Sequence, residues 1–313
     1  MEHIQLTSKS KLHRAHADTN TNTRPIHHHA VLCCLPKAAS RVDPVHGSVF
    51  TPAKTRPLSI VNTDNHLIAN AFRLVLEPII NQWVSDMQRG FLTGRSMLSN
   101  VVDIDLEAMR ISLKHPRGSI ILFDFAAAFP SLSQEYMWQV LSHIGLPPGI
   151  LEAIQSLYVN NVHFVKVKSC LFPSLTATSG VRQGCPLSPL LFAIVADLLL
   201  RRLKNRLPQA LVRAFADDTG VVVPDFASYA PTIMSIFQEF AKISNLALNL
   251  SKTVLIPLWE SSADSISADG FEVICLTGLV WKSLGQHVTW AITLAHRGCP
   301  RVGTKHMRSL KNA

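Results

Sequence analysis

The chain has 313 residues, of which 47% are hydrophobic and only 16% charged, with a formal net charge of +9. That apolar fraction excludes global disorder and suffices for one or two packed domains. The basic excess lies in the flanks: residues 1–60 carry 8 Lys/Arg against 3 Asp/Glu, whereas residues 61–260 carry 16 against 15. Residues 1–45, polar and rich in His, Thr and Asn, read as a mobile segment whose charge suits nucleic-acid phosphates. Within residues 46–117 helical periodicity spans His66–Val84 and Leu98–Leu113. Gly118 to Phe123 is a buried strand, and Ser131-Leu132-Ser133-Gln134 offers a Ser-x-x-Gln cap for a helix stopping at Gly145. A helix follows Pro147-Pro148, and Val162–Lys168 alternates as a half-exposed strand. Pro189–Arg206 reads as a helix with basic last turns, and residues 226–245 as another. The apolar run Leu187–Leu200 is broken by Ser188, Pro189 and Asp197 and is too short to span a bilayer.

Two features carry chemistry. Leu211–Ala216 and Gly220–Val223 are short β-type runs joined by a polar turn, a hairpin that places Asp217 and Asp218 at its tip. Two carboxylates ~4 Å apart repel by about 4 kcal/mol at a protein-like dielectric, which a divalent cation offsets. Alone, the pair reads first as a solvated turn, because Asp is a common turn residue. Asp124, at the end of a buried strand, needs a partner or a role. Three carboxylates on neighbouring strand ends match the ligands of a two-metal phosphoryl-transfer site, and with Asp124 the two readings stand level.

The run Ser179-Gly180-Val181-Arg182-Gln183-Gly184-Cys185-Pro186-Leu187-Ser188-Pro189-Leu190-Leu191-Phe192 resembles a signature of the reverse transcriptases of non-LTR (LINE-type) retrotransposons. The order of Asp124, this signature and Asp217-Asp218 fits the same family, as do Lys54–Ile60 and Gln88–Ser96 upstream and Asn245–Thr253 downstream. The resemblance covers roughly residues 50 to 260. It implies an α+β right-hand polymerase, with fingers over 46–117 and an antiparallel palm sheet backed by helices over 118–260. It implies RNA-directed DNA polymerase activity, with an RNA template, a DNA primer and dNTPs as partners and two Mg²⁺ ions, or Mn²⁺, as cofactor.

By resemblance the catalytic residues are Asp124, Asp217, Asp218 and Lys252, the last protonating the leaving pyrophosphate. The metal set is Asp124, the Phe125 carbonyl, Asp217 and Asp218. Arg56 would contact the triphosphate, Gln183 and Gly184 the templating base pair, and Phe129 the sugar, excluding a 2′-hydroxyl. Arg95 would hold the template or the fingers. Departures are Ala127 and Pro130 after the first Asp, Phe215 in place of Tyr, and His66 where relatives carry Lys. Residues 261–313 form an irregular basic tail, so the thumb is expected to be missing or incomplete. The alternative function is an inactive reverse-transcriptase-like fragment that binds RNA.

The cysteines, at 33, 34, 170, 185, 275 and 299, form no C-x-x-C pair, and no secretory signal is visible. They read as reduced thiols of an intracellular, nuclear protein. His27-His28-His29 with Cys33-Cys34 fits no standard zinc spacing.

Overall fold

The computed structural model describes residues 29–258, apart from 38, 46, 52–53 and 168–169, together with the strand at 272–273. In chain order the elements are β1 (Ala30–Pro36), β2 (Arg41–Asp43), β3 (Gly47–Val49), β4 (Thr55–Val61), α1 (Thr63–Trp83) and α2 (Met97–Lys114). Then come β5 (Ser119–Phe123), α3 (Ala128–Ser131), α4 (Gln134–His143), α5 (Pro148–Ser156), β6 (Val162–Val167) and β7 (Cys170–Thr176). The last are α6 (Ser188–Arg206), β8 (Leu211–Phe215), β9 (Asp218–Val223), α7 (Phe226–Ser244), a 3₁₀ turn at Leu250–Lys252, β10 (Val254–Pro257) and β11 (Glu272–Val273).

Local chemistry explains most boundaries. The Asn62 side chain accepts from the Asn65 amide to start α1, and the Ser96 hydroxyl accepts from Leu98 to start α2. α7 stops at Asn245, which takes the left-handed conformation at φ 61°. The cap of α4 is Ser133, whose hydroxyl accepts from the Tyr136 amide, and not the expected Ser131. Ala128–Ser131 coils into its own short helix, so the extended residue that can cap comes two positions later.

Two sheets organise the chain. The fingers-like sheet has the order β4-β1-β6-β7. β1 lies antiparallel to β4, Ala30 opposite Val61, and parallel to β6, Ala30 opposite His163. The expectation of a mobile segment over 1–45 is therefore corrected from Ala30 onward; residues 1–28 lie outside the described set. β1 has no local strand signal strong enough to declare itself, and its two partners lie far along the chain. The palm-like sheet has the order β11-β10-β5-β9-β8. β5 runs antiparallel to β9 and to β10, and β8 to β9.

The palm sheet is covered on both faces, with the period of two that a strand imposes. Ile121, Phe123, Val221, Val223 and Leu255 join the larger core with α6 and α7. Ile120, Val222, Val254 and Ile256 face the other way, onto Ile104, Ala108 and Ile111 of α2. From Leu190 to Leu200 α6 is apolar all round except at Asp197, as befits a buried helix segment, and its basic last turns are exposed. Its one buried carboxylate, Asp197, pairs with Arg201 at 2.7 Å and accepts from the Ser85 amide and hydroxyl, tying α6 to the end of α1. Among the described residues no helix is long and apolar enough to cross a membrane. The irregular basic tail read over 261–313, and with it the expectation of a missing or incomplete thumb, lies outside the described residues, apart from β11, as do Cys275 and Cys299; the described cysteines form no disulfide.

Candidate active site

β5 ends at Phe123, which lies opposite Thr219 of β9, so Asp124 and Asp218 occupy neighbouring strand ends. Both line one pocket with Lys252, Arg213, Asn100, Phe215, Met97 and Val254. The hairpin is tighter than expected. Phe215 pairs with Asp218, so Ala216 and Asp217 alone form the turn and Asp218 opens β9. This corrects the placement of both carboxylates at the tip. Ala216 has φ 61°, a backbone conformation that hairpin turns usually assign to Gly.

The segment after α7 folds back along Asp124. Asn249 donates its amide to the Asp124 carbonyl at 2.8 Å, and Ala126 donates to Ala247 at 2.8 Å. Those flanking bonds bridge Phe125 to Leu248, and the antiparallel pattern turns the Phe125 carbonyl away from Leu248. The Phe125 ring is buried against Phe237. The 3₁₀ turn then delivers Lys252, whose Nζ lies 3.1 Å from Asp124 Oδ2. Asp124 Oδ2 is buried yet receives no aligned hydrogen bond, so the ammonium supplies charge without satisfying it. A buried hard oxygen without a hydrogen bond, in a pocket that a second carboxylate also lines, is the chemistry a divalent cation seeks. Among the described residues no group of three acidic, His or Cys side chains closes into a ready-made metal cluster, so the expected three-carboxylate set is not preformed. Mg²⁺ needs only one or two protein carboxylates beside substrate phosphates and water, so Asp124 and Asp218 fit it.

The fingers grip the other side of the hairpin through residues the sequence analysis did not single out. Gln88 is fully buried; its Nε2 donates to the Ala216 carbonyl at 3.0 Å, and its Oε1 accepts from the Ala216 and Gly90 amides at 2.9 and 2.8 Å. A Cβ on Gly90 would sit 2.0 Å from the Ala216 nitrogen, so only Gly permits this approach. Asn100 donates to the Ala214 carbonyl at 2.9 Å. Asp103 joins Arg89 and Arg213, each at 2.7 Å. Burial pushes the Asp103 carboxyl up, but hydrogen bonds and charge from Arg213 and Arg89 outweigh it and hold the group below its ordinary range. The signal available in the sequence was the position of Gln88 and Gly90 inside the Gln88–Ser96 run.

The remaining expected residues separate. Gln183 and Gly184 form a turn held on β4, where the Ser59 amide donates to the Gln183 carbonyl at 2.9 Å. Gly184 has φ 107°, and a Cβ there would press on Leu58 and on the Ser59 carbonyl at 3.2 Å. Arg56 is exposed on the same strand, opposite Leu35. Phe129 stacks on Phe192 at 5.0 Å and meets Phe91 edge-on at 6.0 Å. Arg95 is a correction to the substrate-binding set. Its guanidinium donates to the carbonyls of Asn81, Val84, Ser85 and Gln88 and to Asn81 Oδ1, so all five donors are spent inside the fingers.

A family model described as reverse transcriptase (RNA-dependent DNA polymerase) matches residues 36–273. The chain belongs to the reverse transcriptase family. Among curated proteins it is 29% identical over 210 residues to the Pol polyprotein of the type-2 retrotransposable element R2DM of Drosophila melanogaster, covering 64% of this chain and 19% of that protein. It is 24% identical over 225 residues to the Pol polyprotein of a type-1 retrotransposable element R2 of Popillia japonica, covering 68% and 31%. The reverse transcriptase domain is thus of the non-LTR retrotransposon kind, and the chain spans about a fifth to a third of the length of these relatives. Among solved structures, apo telomerase of Candida tropicalis truncated from its C-terminal domain superposes with a TM-score of 0.57 at 16% identity, covering 76% of this chain and 52% of that one. A telomerase of the same organism in complex with a fragment of telomeric RNA gives 0.55 at 15% identity, covering 74% and 41%. Both likenesses speak to the fold, an α+β polymerase fingers and palm.

Proposed function

We propose that this chain performs RNA-directed DNA synthesis, adding dNTPs to a primer 3′-hydroxyl on an RNA template. The observation that carries the reading is the convergence of Asp124, Asp218 and Lys252 in one pocket at the ends of adjacent palm strands. Asp124, Asp217 and Asp218, with the Phe125 carbonyl, would hold the divalent cations. Mg²⁺, as two ions in this reading, supplies Lewis-acid activation of the 3′-hydroxyl and countercharge for the leaving pyrophosphate.

The side chains supply position and charge. Lys252, held beside Asp124, is placed to give a proton to the departing pyrophosphate. Arg56 offers a bidentate phosphate contact from the exposed side of β4. The Gln183-Gly184 turn presents an amide and a bare backbone to the nascent base pair, and Phe129 restricts the sugar beside it. Asp124→Ala and Asp217→Ala should each reduce primer extension on an RNA template to background, a loss of ~10³-fold or more. Extension by Asp217→Ala equal to the parent's overturns the reading. A parent that retains RNA on a filter without extending a primer identifies an RNA-binding fragment instead.

A further inference from the structure

We propose that Gln88 is a positioning residue for the Asp217-Asp218 turn, setting the carboxylates' geometry through the backbone of Ala216. The inference rests on the metal-dependent reading above. The hydrogen bonds of the Gln88 amide go to backbone groups. Gln88 is fully buried, and its one amide engages both backbone groups of Ala216 while also accepting from Gly90. Ala216 is the residue that turns the hairpin, with φ 61° and Asp217 directly after it. A small rotation of that peptide moves both following carboxylates.

The chemistry of the pairing is specific. A backbone carbonyl and amide side by side call for one donor and one acceptor, which a neutral carboxamide provides. A carboxylate at position 88 would set an oxygen against the Ala216 carbonyl, and an apolar side chain would leave two amides and a carbonyl buried without partners. The rest of the seam is built to the same end. Gly90 has no Cβ where one would strike Ala216, Arg89 donates its amide to the Ala214 carbonyl at 2.8 Å, and Ala214 donates to Met87 at 2.7 Å. The fingers thus pair with the outer edge of β8 by a short parallel bridge, Gln88 to Ala214, and Gln88 reaches on to the turn with its side-chain amide.

The test compares the full chain with Gln88→Met and Gln88→Glu. Manganese binding is followed by electron paramagnetic resonance, and primer extension is titrated with Mg²⁺ and with dNTP. Loss of a residue that orients metal ligands typically weakens metal affinity ~10- to ~100-fold. Gln88→Met should weaken Mn²⁺ binding and raise the half-saturating Mg²⁺ concentration by ~10-fold or more, lowering kcat and leaving the KM for dNTP unchanged. Gln88→Glu, which sets an oxygen against the Ala216 carbonyl, should weaken Mn²⁺ binding at least as much as Gln88→Met. Mn²⁺ affinity within twofold of the parent's in a folded Gln88→Met overturns the proposal. If Gln88→Met does not fold, the same criterion applies to Gln88→Glu, and unfolding of both assigns Gln88 to stability alone and overturns it as well. A parent that binds Mn²⁺ but never extends a primer refutes the polymerase reading, while the binding comparison still decides the role of Gln88.

Discussion

Along β9, Val221, Val222 and Val223 are completely buried, whereas all seven residues of β7 are exposed. The palm sheet lies between two apolar layers and is held by burial, which is non-directional. The fingers sheet has no such sandwich, and polar side chains carry its attachment to the palm. Arg182 leaves the Gln183-Gly184 run and enters the seam, donating to Asn161 and Asn65 at 3.1 Å each and to the Leu157 carbonyl, over the ring of Tyr158. Within the fingers sheet itself, Ser59 of β4 bonds His163 of β6 at 2.8 Å. The palm thus provides a rigid platform for the carboxylates, and the fingers dock on it through directional bonds that work in one arrangement only.

Three substitutions press on that contrast, in decreasing order of effect. Arg182→Met leaves three acceptors buried and unmet, at about 1–3 kcal/mol each, so urea unfolding should show a loss of about 3 kcal/mol or more. A loss under ~1 kcal/mol would mean the seam is held by apolar contacts, as the palm is. Arg95→Ala removes the donors that close the end of α1; two of its four carbonyl acceptors belong to buried Val84 and Gln88 and two to half-buried Asn81 and Ser85, so the expected cost is about 2 kcal/mol. Its affinity for an RNA template, read by fluorescence anisotropy, should match the parent's; a selective loss of affinity would return Arg95 to the substrate.

The smallest effect is a pH dependence. Burial, aided by the charge of Arg182, holds the His163 imidazole below its ordinary value, against the backbone carbonyl of Asn161, which draws it upward as an acceptor. The folded chain therefore binds this proton more weakly than the unfolded chain does. Its contribution to stability is complete above about pH 6.5 and is lost as pH falls through and below that value. The melting temperature of the parent should drop between pH 7.5 and 5.5, and His163→Gln should drop less; equal slopes would remove His163 from the energetics of the fingers sheet.

Patterns of short range were legible. The alternation of β5 and β9, the Asp residues at their ends, the helices at Thr63–Trp83, Ser188–Arg206 and Phe226–Ser244, and the Gln183-Gly184 signature all depend on neighbours within a few positions. The cap of α4 slipped by two residues because Ser131 and Ser133 carry the same local signal, and only the coiling of α3 separates them. Arg95 stays open between template and fingers in the sequence because an exposed motif arginine and one sealing a helix end look alike along the chain.

The amino-acid sequence by itself determined the family, the palm strands and the three aspartates, since periodicity, turn chemistry and a long contiguous motif survive without tertiary contacts. Only the tertiary structure decided that β1 belongs to the fingers sheet, that Arg182 is a buried clamp and that Gln88 bonds Ala216 in the hairpin turn. The physical reason is separation. Gln88 meets Ala216 across 128 positions and Arg182 meets Asn65 across 117, and no local propensity encodes a hydrogen bond whose partners become neighbours only when the core closes.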